Sequence, residues 1–389
     1  THNRVRMVLF CAGIGFAVLL MFIQYGCRNA LLDSSVLLID KFNADLVVIN
    51  RLQTTVLLHS TFSRSQLERA RSIPGVSEVH PLYLEYSRSL LRNTAAKTEN
   101  RGPSQTIRVI GIDPMAQMLT YPQLNPNSDQ SVNLQLRKPG TVLFDELAKR
   151  DKNGHSIYGP VEKGTRTDLA GRAIEVVGFF QLGIDFGTNG TLITSYDTFR
   201  SILRSQPYGL TMRDVDIGLV RLLKGANQEK VQKELQALLG DGLRVLTVKQ
   251  FKQREQRFWE KNTPIGAVFF FGVFMGFLVG LVICYQILST DIRDNLSAYA
   301  TLRAIGYPNR YLTRIVLQEA ALLAVMGFLP GLVVAWLTYR ALAWATDLPM
   351  SLWPPGRVLL ILAFTLTMCI VSGLLAVRQA QQADPAEVF

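Results

Sequence analysis

Two apolar runs constrain this chain more than any other feature. Pro264–Leu288 carries no charged side chain, and Ile315–Tyr339 carries one, Glu319 near its start. About 20 residues of helix, at roughly 1.5 Å per residue, cross the hydrocarbon core of a bilayer. Both runs are that long. Within lipid a backbone must satisfy its own polar groups, so each run is expected to be a membrane-spanning helix.

The stretch between them, Asp291–Gln318, reads DIRDNLSAYATLRAIGYPNRYLTRIVLQ and sets Arg293, Arg303, Arg310 and Arg314 against Asp291 and Asp294. Short loops rich in Lys and Arg stay on the cytosolic side. Leu296, Tyr299, Ala300, Leu302, Ala304 and Ile305 recur at helical spacing, and Gly306, Tyr307 and Pro308 then stop the helix. The expectation is a short cytosolic helix between two spans, where a partner could push on it. From composition alone the loop could equally be a topology signal.

Two further spans complete the set. Met7–Tyr25 follows Arg4 and Arg6 and is apolar apart from Gln24. It exceeds a signal-peptide core of about 7–15 residues and lacks a small-residue cleavage site, so a retained anchor with its amino end in the cytosol is expected. Gln24-Tyr25-Gly26 is a poor lead-in for lipidation of Cys27, and a short lead before Thr1 is expected. Val358–Val377 is the fourth span, and Arg378–Phe389 returns to the cytosol. Trp259, Trp344 and Trp353 suit the outer headgroup layer. Gly272, Gly276 and Gly280 fall four apart on one face of the second span, where small residues let another helix approach, in the same chain or in a second copy. Glu319 sits near the cytosolic start of its helix, where the dipole favours an acid, and reads as an anchor or coupling element rather than a proton relay.

The polar segment between the first two spans alternates strand and helix signals. Asp45–Asn50, the helical SRSQLERARSI from Ser63, and Val76–Tyr86 form one strand-helix-strand unit; Val215–Leu222, Asn227–Leu239 and Leu243–Val248 form another. Between them Thr106–Ile112, Thr141–Phe144, Ala173–Phe180 and Gly190–Ser195 are expected strands, with short helices at DELAKR after Phe144 and SYDTFRSIL after Thr194. Two units flanking an insert predict one α/β subdomain built from both ends of the segment. Lys249–Lys261 (KQFKQREQRFWEK) then leads into the second span as a helical stalk or a solvated linker.

Catalytic and metal-binding classes find little support. Cys11, Cys284 and Cys369 lie in apolar spans and Cys27 at the end of one, so the polar segment has neither a disulfide framework nor a cysteine metal site. His2, His59, His80 and His155 make no ligand pair. Gly159–Arg166 (GPVEKGTR) has two glycines at P-loop spacing, but Thr165 and Arg166 stand where Lys and Ser/Thr are required. The net charge of +11 is dispersed, which favours a positive-inside membrane protein over a nucleic-acid binder.

The run AYATLRAIGYPNRYLTRIVLQEA resembles the cytoplasmic loop of MacB/FtsX-like ABC transporter permeases, and the ending DPAEVF resembles the tails frequent in that family. The absence of a fused ATPase looks most like the DevC branch. The resemblance implies four transmembrane helices plus an α+β extracytoplasmic domain, a βαβ-based subdomain with an inserted, mainly β subdomain. The expected layout is 1–27 cytosolic end and first span, 28–262 periplasmic domain, 263–288 second span, 289–314 coupling loop, 315–340 third span, 341–356 outer loop, 357–377 fourth span and 378–389 tail. Within the periplasmic domain, 28–95 and 210–248 form the βαβ subdomain, 96–209 the insert and 249–262 the stalk.

In such permeases the loop is a coupling helix that docks on an ATPase, which places Leu296, Tyr299, Ala300, Leu302, Arg303, Ala304, Ile305 and Gly306 at the ATPase contact. The implied function is a non-catalytic permease subunit of an ABC exporter in a bacterial inner membrane, both termini cytosolic. Its implied partners are two separate ATPase subunits holding ATP and magnesium, a second copy of this chain, a periplasmic membrane-fusion adaptor and an outer-membrane TolC-like channel. The cargo would be a lipid or glycolipid. A lipoprotein-release or cell-division regulatory permease of the same superfamily is one alternative, and a membrane-anchored periplasmic ligand sensor is another.

Overall fold

The computed structural model describes residues 2–58, 60–94, 104–125, 127, 131–151, 154–185, 187–203, 214–295, 301, 305–346 and 355–382. They divide into two compact units, one of Leu31–Thr263 and one of Thr1–Ala30 with Pro264–Phe389.

In the first unit the elements follow the order β1 (Leu46–Asn50), β2 (Phe62–Ser63), α2 (Arg64–Glu68), β3 (Val76–Glu85), β4 (Leu90–Arg92), β5 (Ser104–Thr106), β6 (Arg108–Ile112), α3 (Asn133–Leu136) and β7 (Thr141–Asp145), after the long helix α1 (His2–Ser34). There follow β8 (Arg166–Leu169), β9 (Arg172–Phe180), β10 (Thr191–Ser195), α4 (Tyr196–Leu203), β11 (Asp214–Val215), β12 (Ile217–Leu222), α5 (Gln228–Leu239), β13 (Leu243–Thr247) and α6 (Val248–Asn262).

An eleven-stranded sheet runs β13-β1-β12-β3-β6-β10-β7-β9-β8-β4-β5. Its first four strands are antiparallel neighbours, because the two units β1-α2-β3 and β12-α5-β13 interlock. This is the split βαβ arrangement of ferredoxin-like folds. Successive residues of a strand face opposite sides, so Leu46 and Val48 pack with Leu67, Val231 and Leu235 beneath α2 and α5. Val47 and Ile49 face the other way, onto Ile39, Phe42 and Phe251. Every one of these side chains is at most 7% exposed, and burial of this kind is what holds the sheet.

Strand β3 joins the two halves of the sheet. Val76–Leu82 pairs with β12, and Tyr83–Glu85 pairs with β6. Leu90–Arg92 therefore lies among the insert strands, paired to β5 and β8, and the change of partner falls before the expected boundary at 95/96. The helix expected over DELAKR is absent. Asp145 ends β7, and its carboxylate accepts from the backbone N–H of Leu147 (3.1 Å), Leu182 (3.0 Å) and Gly183 (3.0 Å), which makes 146–147 a turn. Short polar side chains that capture nearby N–H groups compete with helix in this way.

The second unit contains α7 (Pro264–Asp294), α8 (Asn309–Thr346) and α9 (Pro355–Gln382), with the amino-terminal part of α1. Four of the described helices are long and apolar enough to cross a membrane: Phe10–Ser34, Pro264–Asp294, Thr313–Ala343 and Gly356–Arg378. Each helix runs past its apolar window, α1 to Ser34 rather than 27 and α7 to Asp294 rather than 288. Polar residues end an apolar run without ending a helix.

Candidate functional site

The loop between the second and third spans is the first candidate. Leu296, Tyr299, Ala300, Leu302, Arg303 and Ala304 lie outside the described residues. The described flanks are hydrogen-bonded turns on either side of them. Asn295 donates to the Asp291 carbonyl through its backbone N–H (3.1 Å) and its side chain (2.9 Å), closing α7. Ile305 N–H donates to Thr301 O (3.1 Å), and Gly306 has φ +104°, a conformation that suits glycine. Ile305 is 70% exposed, and Tyr307 and Tyr311, also exposed, have ring centroids 4.8 Å apart. An apolar and aromatic surface therefore follows the loop directly. Glu319 is half-buried on α8, beside the fully buried Ala320.

The glycines of α7 face helices of the same unit. A Cβ on Gly272 would meet the Gln24 side chain, one on Gly276 would meet Met21 at 3.1 Å, and one on Gly280 would meet Met368 and, at 2.8 Å, Ala17. This face is taken up by α1 and α9 within one chain. On α8 the same device recurs, with Gly327 against Ile14 (2.6 Å) and Gly331 against Val18 (2.9 Å). Ser372 Oγ donates to Leu281 O (2.8 Å), and Tyr339 hydroxyl donates to Phe22 O. Packing here is close contact plus a few hydroxyl bonds.

The third candidate is the stalk, α6, which is a 15-residue helix opened by a capping box between Thr247 and Gln250. Lys252 Nζ donates to Asp40 (2.7 Å), Arg254 donates to Gln53 O, and Phe251 stacks on Phe42 with centroids 6.5 Å apart. At the centre Glu255, 2% exposed, accepts from Thr55 Oγ1, from Val56 N–H (3.0 Å) and from Trp259 Nε1 (3.0 Å). Burial raises the Glu255 pKa, while the donors from Thr55, Trp259 and Val56 and the nearby Arg254 pull the other way. Sequence reasoning passed over Glu255 as one charge in a charged run. The signal was the four-residue ladder Phe251, Glu255, Trp259, which sets the acid in line with two aromatics.

Next to it, among the strands of the insert, Arg108 is 2% exposed. Its Nη1 donates to Asp185 (2.5 Å) and its Nε to Thr191 Oγ1 (2.9 Å). Burial works to lower the Arg108 pKa, but Asp185 and Tyr86 outweigh it and the guanidinium is held charged. A separate cleft of about 1040 Å³ on the insert is lined by Phe144, Glu146, Leu147, Pro160, Val161 and Gln181, among others. Gly159 and Gly164, the glycines at P-loop spacing, both have positive φ in turns, and Gly164 N–H is spent on Val176 O (2.7 Å). Among the described residues no group of three His, Cys, Asp or Glu is placed to hold a metal ion.

Residues 269–385 match the family described as FtsX-like permease C-terminal. Over that stretch the chain is similar to FtsX-like permeases. That region takes in α7, α8, α9 and the basic loop. No curated protein matches the chain. Among solved structures the chain is similar to the periplasmic region of MacB from Actinobacillus actinomycetemcomitans, at 15% identity, covering 55% of this chain and 92% of that one with a TM-score of 0.35. It is also similar to the extracellular domain of the noncanonic ABC-type transporter YknZ from Gram-positive bacteria, at 12% identity, 52% and 98% coverage and a TM-score of 0.34.

Proposed function

We propose that this chain is the permease subunit of an ATP-driven ABC exporter, and that it works by passing motion rather than by making or breaking bonds. The single observation that carries the reading is the FtsX-like region, whose first two helices enclose a basic loop ending in an exposed Ile305, Tyr307 and Tyr311 surface. Four arginines in so short a stretch favour the cytosolic side, where ATP is. Two copies would pair with two ATPase subunits holding ATP and magnesium, with Leu296–Gly306 at the contact and Glu319 steadying the helix that follows. The domain of residues 31–263 would lie outside the cytosol, moved through α6 and working with a membrane-fusion adaptor and an outer-membrane channel. A lipid or glycolipid cargo, as in the DevC branch, belongs to the same proposal and rests on analogy alone.

The test is affinity purification from membranes in mild detergent, for the native chain and the Arg303→Glu and Gly306→Pro variants. The expected result is an ATPase that travels with the native chain and is lost from both variants. Retention of the ATPase and of export by both would reduce the loop to a topology signal. An adaptor in the same sample supports export, whereas a lipoprotein carrier in its place would favour the lipoprotein-release alternative.

A further inference from the structure

A cavity of about 20 Å³ lies where the stalk meets the insert, lined by Tyr86, Arg108, Asp185, Glu255 and Trp259 together with apolar side chains that include Leu57. Two polar atoms buried beside it, Arg108 Nη2 and the Tyr86 hydroxyl, make no well-formed hydrogen bond to a described protein atom, and the hydroxyl and the guanidinium interact chiefly with each other. Such groups are costly to bury unless satisfied. The volume exceeds the roughly 10–15 Å³ that one water requires, and a water there needs two to four polar partners. Arg108 Nη2 can donate, the Tyr86 hydroxyl can donate or accept, and the Glu255 carboxylate has acceptor capacity beyond its three donors.

The surrounding segments make a continuous chain of contacts. Glu255 holds residues 55–56 through Thr55 and Val56. Leu57 seats on Gly187, where any Cβ would meet its side chain. Asp185 accepts from Gly187 N–H (2.9 Å) and Thr188 Oγ1 (3.1 Å) with one oxygen and from Arg108 with the other. Arg108 in turn opens β6, a strand at the middle of the sheet.

We propose that Arg108, Tyr86 and Asp185 are positioning residues for the stalk, and that one water in this cavity joins Arg108 and Tyr86 to Glu255 so that α6 and the insert move as one body. The role in motion rests on the permease reading, but the link itself is tested without nucleotide or partner. Spatial continuity alone does not establish coupling, so the experiment must measure it.

Trp259, bonded to Glu255, is the natural reporter. In the full chain in lipid nanodiscs, with Trp336→Phe, Trp344→Phe and Trp353→Phe, it is the sole indole. Its emission should change with pH through one transition that Glu255→Gln abolishes. The charged and titratable groups around Glu255 are Arg254 on its own helix and Tyr86, Arg108 and Asp185 across the cavity. Tyr86→Phe, which keeps the ring, removes a donor to the carboxylate by way of the water and should move the midpoint up by about 0.5 pH unit, roughly threefold in the protonation constant. Hydrogen exchange gives a second arm: Glu255→Gln should raise the exchange rate of 187–190 by about threefold or more, as well as that of 53–57, if the segments open together. A midpoint unmoved by Tyr86→Phe, or an exchange change confined to 53–57 and 248–262, overturns the proposal. If both arms hold and ATP with the partner ATPase leaves Trp259 emission unchanged, the clamp stands and the permease reading fails instead.

Discussion

The two units bury polar groups in opposite ways. In the α/β unit Arg108, Asp145, Asp216, Glu85 and Glu255 are all at most 3% exposed, and Arg108, Asp145 and Glu255 are each held by several directed bonds. In the helical unit the buried polar side chains among the described residues are Asn29, Ser289, Thr365 and Ser372, none of them charged. A sheet with loops can bring donors from distant segments to one carboxylate. A helix in lipid already spends its backbone on itself, so it fits a neighbour by removing side-chain bulk, as at Gly276 and Gly327. One unit is fixed by directed bonds and the other by surface fit.

The largest test of that contrast is Arg108→Ala, which strands Asp185 without its cation inside the α/β unit. The cost expected for a broken buried pair is about 3–5 kcal/mol, read as a loss of thermal stability of this unit with the helical unit unchanged. Gly327→Val probes the other mode, because a branched side chain must displace Ile14. Overpacking should cost about 1–3 kcal/mol, measured by thermal unfolding in detergent, and should leave the Trp259 signal as it was. If either substitution unsettled both units equally, the contrast would break.

Acidity sharpens it further. Burial raises the folded-state pKa of both Glu255 and Asp145. Between the ordinary carboxyl value in the unfolded chain, about 4, and the raised folded value, the native state holds more protons than the unfolded one. Stability of the α/β unit from these two groups is therefore greatest below that window and falls as pH rises through it. Glu255→Gln should flatten its share of that slope in melting temperature against pH. Gly306→Ala, at φ +104°, should cost about 1–2 kcal/mol of local stability, seen as faster hydrogen exchange at 305–307. Lys252→Ala removes an ion pair whose partners are 35% and 46% exposed, and should cost only about 0.2–1 kcal/mol in the same melting assay, least of all at high salt.

Much of the architecture was legible in the residue order, because its signals are local. Runs of bilayer length at Pro264–Leu288, with no charge, and Ile315–Tyr339, with only Glu319 near its start, allow little but helix, and the short β-branched run at Asp45–Asn50 marks a strand whatever lies beside it. The ladder Phe251, Glu255, Trp259 was equally local but was hidden by the charges around it. DELAKR misled because its helix propensity is real and loses to Asp145, which collects backbone donors from Leu182 and Gly183, almost forty positions away in the chain.

Sequence by itself therefore determined the spans, the two strand-helix-strand units, the basic loop and its stop at Gly306. Tertiary structure alone decided that β3 changes partner at Leu82/Tyr83, that the α7 glycines are filled by Gln24, Met21 and Met368 of the same chain, and that Glu255 faces a cavity shared with Arg108. The reason is range. Helix and strand periodicity and chain-stopping residues act within a few positions, whereas a buried charge is tolerated only where segments far apart in sequence converge on it, and no local pattern records that meeting.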